Sequence, residues 1–155
     1  MKAVPRIRVL FVCLGNSCRS PMAESIAAHI ASDVMEVSSA GIVALGVVQS
    51  ATRQTLAKNG YPADALESKP LDSIDLDAVD IIINMTGRPG LTLFPNPAKV
   101  EDWDVEDPYG SDAATYQRVF EHIESRVVRL VGKVRTSAPG DFVAPKIQRE
   151  KSSQG

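Results

Sequence analysis

The 155-residue sequence predicts an α/β fold, a parallel sheet of about four strands between layers of helices. Patterns typical of buried strands alternate with patterns typical of helices along the chain. Parallel neighbours need crossover connections, and those are usually helical. Hydrophobic residues form 44% of the chain, enough for a single core. We therefore expect a flavodoxin-like three-layer sandwich with a four-stranded parallel sheet and helices on both faces.

The first part of the chain predicts a strand, a loop and a helix in succession. Arg6 to Val12 is an apolar, β-branched run, which indicates a buried strand. A polar turn follows, and apolar residues at helical spacing begin around Pro21, a residue that suits the first turn of a helix. Residues 34–39 indicate a second strand, and residues 49–59 indicate a second helix, which the following glycine ends.

The second part of the chain supplies the remaining elements. Residues 73–79 predict a short third helix, and residues 79–85 predict a third strand. Residues 87–97 contain three prolines and two glycines, which predict a surface loop before a short fourth strand at residues 99–102. Residues 112–134 repeat apolar side chains every three or four positions, so they form the clearest amphipathic helix of the chain.

Composition and charge limit the number of domains and the classes of partner. We expect one domain at residues 1–135, and residues 136–155, rich in polar residues with Pro and Gly, predict a flexible tail. The net charge of -2 provides no basic field for nucleic acid or acidic lipid, so we expect neither nucleic-acid nor membrane partners. No apolar run approaches the roughly 18 residues of a membrane span. The first apolar run is a buried strand and not a signal peptide, so we expect a soluble, cytoplasmic protein.

The few cysteines indicate chemistry and not scaffolding. The chain has two cysteines, Cys13 and Cys18, and two histidines. This number is too small for a secreted disulfide framework and leaves a zinc site short of ligands. We therefore expect no metal and no cofactor.

The candidate chemistry lies in the loop between the first strand and the first helix, where five residues separate Cys13 from Arg19. A loop at that place presents backbone N–H groups and a helix N-terminus to one point, which suits an anion. Arg19 adds a planar fork of donors for phosphate, and Gly15 lets the backbone approach the anion closely. The positive environment favours a thiolate at Cys13, to which Ser20 can donate its hydroxyl. A buried structural thiol is the alternative interpretation of Cys13.

Asp107 is the candidate general acid. A thiolate that attacks phosphorus needs a group to protonate the departing oxygen. Pro108 restricts Asp107 to extended geometry, and Tyr109 and Gly110 continue a fixed turn into the long helix. The alternative is a solvated acidic loop formed by Asp102, Asp104, Glu106 and Asp107.

These motifs resemble those of the low-molecular-weight protein tyrosine phosphatases, with a C-x5-R-S loop and an Asp-Pro acid motif. The likeness covers residues 6–134 and includes a Ser-Ala-Gly turn that begins at Ser39. The resemblance implies a phosphocysteine intermediate at Cys13, phosphate held by Arg19, and Asp107 as acid and then base. It implies phosphorylated protein substrates and inorganic phosphate as product.

The resemblance also assigns supporting residues. Asn16 and Ser39 brace the loop, Ser20 assists the thiolate, and Ser17 and Tyr109 stand at the substrate mouth. The phosphate-binding and supporting set is Leu14, Gly15, Asn16, Ser17, Cys18, Ser20 and Ser39. We expect that oxidation can form a reversible Cys13–Cys18 disulfide, with simple loop packing as the alternative role of Cys18. Ser17 has the alternative role of a turn cap.

Departures from the pattern keep several functions open. Tyrosine-specific members commonly have isoleucine at the Ser17 position, an aromatic wall after the Ser-Ala-Gly turn and two aromatics after the acid motif. This chain has serine at the first position, continues the turn with residues 42–45 (Ile-Val-Ala-Leu), and has Tyr109 as the one aromatic before Gly110. Protein arginine phosphatases are similar in having a small polar residue at the Ser17 position and one aromatic before glycine, so they are the alternative to a tyrosine phosphatase.

Two further alternatives follow from the same loop. Thioredoxin-coupled arsenate reductases share the loop but need two more cysteines, and this chain has Met85 where those would begin. An arsenate reductase of a non-thioredoxin type, assisted by a small thiol, needs only Cys13. A non-catalytic phosphate-binding regulatory domain is disfavoured, since a binder needs neither the Cys13 thiolate nor the Asp107 acid.

Overall fold

The computed structural model describes residues 5–137 and contains one parallel sheet with the strand order β2-β1-β3-β4 within them. The strands are β1 (Ile7–Cys13), β2 (Met35–Gly41), β3 (Ile81–Asn84) and β4 (Val100–Asp102). The helices are α1 (Arg19–Ala31), α2 (Ser50–Lys58), α3 (Gly90–Leu93) and α4 (Ala113–Thr136). The predicted four-stranded parallel sheet and the α/β class are confirmed.

The interior strand β1 separates two apolar cores because its side chains alternate between the faces of the sheet. Val9, Phe11 and Cys13 enter the larger core together with α1, α2 and α4. Leu10 and Val12 enter the smaller core, against α3 and the segment that precedes β3. The layers are therefore unequal, with the three longer helices on one face and the short helix α3 and two 3-10 turns on the other.

Helix α4 covers the larger core with residues at helical spacing. Asp112 caps it, since its carboxylate accepts the backbone N–H of Thr115 at 2.9 Å. At the other end Arg135 forms an ion pair with Asp33 at 2.6 Å and donates to the carbonyl of Ile30. The buried residues of the helix are Tyr116, Val119, Phe120, Ile123, Val127, Leu130, Val131 and Val134.

Two predicted helices need correction. Helix α1 begins at Arg19 and not around Pro21, because the loop closes directly into its first turn. The helix predicted at residues 73–79 is absent, and two 3-10 turns occupy Leu71–Ser73 and Leu76–Ala78. The Asp75 side chain accepts the N–H of Asp77 at 3.1 Å, a local turn that competes with a helix.

The predicted loop at residues 87–97 contains the four-residue helix α3. The predicted boundary after Arg135 falls in the last turn of α4, and the tail predicted beyond it lies, from residue 138 onward, outside the described residues. Within residues 5–137, no helix is long and apolar enough to cross a membrane. The carboxyl ends of β1 and β3 lie at the same edge of the sheet, and that edge carries the candidate site.

Candidate active site

Residues 13–19, the cradle loop, turn their carbonyl groups outward. The carbonyl oxygens that accept hydrogen bonds from residues 42–52, Ser68 or α1 belong to Cys13, Leu14, Gly15, Ser17 and Cys18. The C=O and N–H of a trans peptide point in opposite directions, so the N–H groups that follow these carbonyls face the concave side. Backbone N–H groups on the concave side of a loop suit an anion, and the sequence analysis expects this arrangement here.

Asn16 holds the cradle loop in its curved shape. Its backbone has a positive φ of 50°, in the left-handed region that asparagine tolerates better than most residues. Its Oδ1 accepts the N–H of Lys69 at 2.8 Å, which orients the amide so that Nδ2 must donate. Nδ2 donates to Ser20 Oγ at 2.8 Å and to Ser39 Oγ at 2.9 Å. The structure therefore brings Asn16 and Ser20, predicted in one loop, together with Ser39, predicted in the turn after the second strand.

The Cys13 sulfur faces two donors from one residue. Ser20 Oγ lies 3.0 Å from Sγ, and because that oxygen already accepts from Asn16, its hydrogen is available for the sulfur. The backbone N–H of Ser20 also points to Sγ at 3.4 Å. Donors to sulfur stabilise a thiolate relative to a thiol, so this environment suits a nucleophile.

The support continues outward to Glu24 and Gly41. Ser39 Oγ donates to the Glu24 carboxylate at 2.5 Å, and burial raises the pKa of Glu24 although this hydrogen bond opposes the shift. A Cβ on Gly41 would stand 2.8 Å from the Asn16 nitrogen, so only glycine lets β2 approach the cradle loop this closely. The sequence analysis missed Glu24, although it lies four residues after Ser20 on one face of α1.

Arg19 is buried, and one edge of its guanidinium is fixed by the protein. Nη1 donates to the carbonyl of Met85 at 2.7 Å and to that of Val105 at 3.1 Å. Nη2 lies 3.5 Å from the Asp107 carboxylate. Nε is buried and has no hydrogen-bond partner, a costly state for a charged donor unless a ligand binds it. The Nε edge of the fork is thus available for an oxyanion.

Asp107 is half-exposed at the edge of the same cleft. Its Oδ1 accepts the backbone N–H of Tyr109 at 3.1 Å, which forms the fixed turn that the Asp-Pro sequence predicts. Its Oδ2 pairs with Arg19. The segment is not a uniformly solvated acidic loop, since Asp102 is half-buried and accepts hydrogen bonds from Asn84 and Gly90. Glu106, by contrast, turns outward to Arg118.

A cleft of about 350 Å³ opens above the thiol. Its lining includes every predicted member of the catalytic and mouth sets: Cys13, Arg19, Asp107, Ser17 and Tyr109. Leu14, Gly15 and Cys18 also line it, whereas the bracing residues Asn16, Ser20 and Ser39 do not appear among the lining residues. The sequence analysis missed three lining residues, Val43, Leu45 and Arg88. Val43 and Leu45 are exposed apolar residues in a loop, which was the available signal.

Ser17 and Cys18 are both buried at the wall of this cleft. The Ser17 carbonyl accepts from Gln49 and Thr52, while its hydroxyl lies 3.7 Å from the Cys18 sulfur. Cys18 Sγ also lies 3.3 Å from the hydroxyl of Tyr116, and burial together with this contact raises the pKa of Tyr116. Both cysteines are free thiols. In the part of the chain that the structure describes, no group of three or more metal-ligating side chains gathers.

A buried thiol in an N–H-lined loop, beside a buried arginine at the carboxyl edge of a parallel sheet, defines a class that includes cysteine-based phosphatases and arsenate reductases. The family model described as low molecular weight phosphotyrosine protein phosphatase matches residues 8–139. The chain therefore belongs to that family.

Relatives within the family differ in their activities. A glutaredoxin arsenate reductase of Synechocystis sp. is 31% identical over 130 residues, which cover 82% of this chain and 98% of that protein. The YwlE arginine phosphatase of Geobacillus stearothermophilus has a TM-score of 0.76 and 30% identity, over 84% of this chain and 94% of that one. A low molecular weight protein tyrosine phosphatase of T. tengcongensis has a TM-score of 0.73 and 32% identity, over 82% and 99% of the two chains. Family membership alone leaves the substrate open.

Proposed function

We propose that the protein is a phosphatase that hydrolyses phosphorylated protein side chains through a phosphocysteine intermediate, with phosphotyrosine as the preferred class. The observation that carries the proposal is the pairing of two groups in one cleft. The Cys13 sulfur faces two donors from Ser20, and the buried Nε of Arg19 has no protein partner. The Ser20 donors stabilise the Cys13 sulfur as a nucleophile, and the Arg19 Nε can donate to the oxygens of the phosphoryl group that the sulfur attacks.

The proposed reaction has two steps. The Cys13 thiolate attacks phosphorus, the bond from phosphorus to the leaving oxygen breaks, and protonated Asp107 gives its proton to that oxygen. The Asp107 carboxylate then takes a proton from water, the water oxygen attacks phosphorus, and the sulfur–phosphorus bond breaks. Inorganic phosphate leaves and the thiolate is restored. The cradle N–H groups and Arg19 balance the charge of the equatorial oxygens in both transition states.

The mouth of the cleft favours an aryl leaving group. Val43, Leu45 and Tyr109 are exposed and line it, and they offer apolar surface to a phenyl ring. Val43 and Leu45 offer this apolar surface after the Ser-Ala-Gly turn, where tyrosine-specific members have an aromatic wall. A guanidinium leaving group would instead meet the cation of Arg88.

A protein arginine phosphatase is the second candidate, and Ser17 is the observation that favours it. Ser17 lines the cleft where tyrosine-specific relatives commonly have isoleucine, and a serine hydroxyl turned toward the cleft would be able to orient a guanidinium. One apolar side chain alters selectivity by about 1–3 kcal/mol, so this position tilts a preference. Ser17→Ile should raise kcat/KM for phosphotyrosine and lower it for phosphoarginine, and an equal change for both would make Ser17 a structural residue.

The deciding experiment compares kcat/KM for matched phosphotyrosine, phosphoarginine and phosphoserine peptides, together with arsenate reduction in the presence of glutathione or mycothiol. We expect phosphotyrosine to be hydrolysed fastest. The whole chain has two cysteines, so we expect arsenate reduction to need an external thiol. That thiol would attack the sulfur of a Cys13–arsenate adduct, forming a disulfide while the sulfur–arsenic bond breaks and arsenite leaves with the electron pair. Efficient thiol-dependent reduction of arsenate without hydrolysis of any phosphopeptide would overturn the proposal.

A further inference from the structure

We propose that Arg88 recognises an acidic residue beside the phosphorylated residue of the substrate, an inference that rests on the phosphatase function proposed above. Arg88 lies on the loop that follows β3 and lines the mouth of the cleft. The same loop begins with Met85, whose carbonyl holds Arg19. The phosphate-binding arginine and the cation at the mouth are therefore fixed by one short segment.

The backbone at Arg88 is held on both sides of its Cα. Its N–H donates to Thr86 Oγ1 at 3.0 Å, and its carbonyl accepts from Asn84 Nδ2 at 2.6 Å. Asn84 and Thr86 are buried, and Asn84 is bound in turn to Asp102 at 2.8 Å. Gly87 has a positive φ of 86°, which the tight turn requires. The fold thus presents Arg88 at a fixed point on the rim.

The Arg88 side chain is exposed, and within residues 5–137 it forms no ion pair. Asp107, the one carboxylate of the cleft lining, pairs with Arg19 instead. The other exposed lining residues with large side chains, Val43, Leu45 and Tyr109, carry no charge at neutral pH. Arg19 binds the phosphate deep in the cleft, so Arg88 is the cation left for a second anionic group near the mouth. An aspartate or glutamate next to the phosphorylated residue supplies such a group.

The test measures binding of two phosphotyrosine peptides to the full-length Cys13→Ser protein by fluorescence anisotropy. One peptide has glutamate on each side of the phosphotyrosine and the other has glutamine. An exposed ion pair is worth up to about 1 kcal/mol, so we expect the glutamate peptide to bind about two- to fivefold more tightly at low ionic strength. Arg88→Gln should abolish this preference and Arg88→Glu should invert it.

Arg6→Gln is the matched control, because Arg6 is an exposed arginine before β1, at the opposite end of that strand from Cys13. It should retain the preference. Equal binding of the two peptides, or a preference that survives Arg88→Gln, would overturn the inference. Turnover is measured separately with the wild-type protein. An Arg88-dependent preference without any turnover would leave the recognition role standing and would refute the phosphatase function alone.

Discussion

Ser20 supplies two donors to the Cys13 sulfur, its hydroxyl at 3.0 Å and its backbone N–H at 3.4 Å. The hydroxyl is oriented for this role because Asn16 donates to its oxygen. A side chain can be removed without removing the backbone donor, so the two contributions are separable by substitution.

Ser20→Ala should make the Cys13 sulfur a weaker nucleophile, because it removes the hydroxyl that lies 3.0 Å from the sulfur. A hydrogen bond to a charged group is worth about 1.5–3 kcal/mol, so alkylation by iodoacetamide at neutral pH should slow by about 10- to 100-fold. Ser25→Ala is the control, since Ser25 is a buried serine of α1 that donates to the carbonyl of Pro62. Equal alkylation rates in the two variants would contradict the role of Ser20.

Gly41→Ala should displace the cradle loop without removing any catalytic or phosphate-binding group. The added Cβ would stand 2.8 Å from the Asn16 nitrogen and 2.9 Å from the Leu14 oxygen, so the loop must shift. Displacement of binding groups in an active site is costly, and we expect phosphate affinity to fall about tenfold or more, measured by calorimetry. Gly132→Ala in α4 meets no atom within 4 Å and should instead stabilise the protein by about 1 kcal/mol. Unchanged phosphate affinity in Gly41→Ala would show that the loop is not confined by β2.

Glu24 should make the free energy of unfolding fall as pH rises. Burial raises its pKa in the folded protein above the ordinary 4.5, so between these values the folded state holds a proton that the unfolded state has lost. The free energy of unfolding should therefore fall, through this group, as pH rises from about 4.5 through the raised value. Glu24→Gln cannot ionise and should lack this fall.

Urea unfolding at a series of pH values measures the difference between the parent and Glu24→Gln. The advantage of the variant should grow as pH rises above 4.5. Glu121→Gln, at an exposed position of α4, should follow the parent. If the free energy of unfolding varied with pH in the same way for the parent and Glu24→Gln, the raised pKa of Glu24 would be contradicted.

Asp107→Asn should separate good leaving groups from poor ones. General acid catalysis is typically worth about 10²–10⁴-fold when the leaving oxygen needs a proton. We expect kcat for phenyl phosphate to fall by that order and kcat for para-nitrophenyl phosphate to fall far less. Asp104→Asn, at an exposed neighbour in the acidic segment, is the control. Equal losses for both substrates would assign the acid to another residue.

The sequence predicted those parts of the site that are local in the chain. The Cys13 to Ser20 loop lies between a strand and a helix, and that context fixes its N–H geometry. The third helix was wrong because apolar spacing at residues 73–79 did not reveal that the Asp75 side chain would hold a turn. Short apolar runs are ambiguous in this way. The apolar repeat at residues 112–134 is longer, and the helix predicted from it is confirmed as α4.

The parts that the sequence did not predict depend on distant contacts. Arg88 reaches the cleft because the buried amide of Asn84 is bound to Asp102 on the next strand. Glu24 joins the site through Ser39 on β2. Neither residue stands in a recognisable motif. Arg88 depends on the contact between β3 and β4, and Glu24, on α1, depends on the contact between that helix and β2.

The most direct test of the account is to trap the intermediate at Cys13. The wild-type protein is mixed with para-nitrophenyl phosphate, quenched in acid within a turnover and digested for mass spectrometry. A phosphocysteine mechanism predicts a phosphoryl group on the peptide that contains Cys13, and a Cys13→Ser variant that binds phosphate but shows neither a trapped phosphoryl group nor turnover. Turnover by Cys13→Ser above a few per cent of the parent rate, or a phosphoryl group trapped on any other residue, would contradict it.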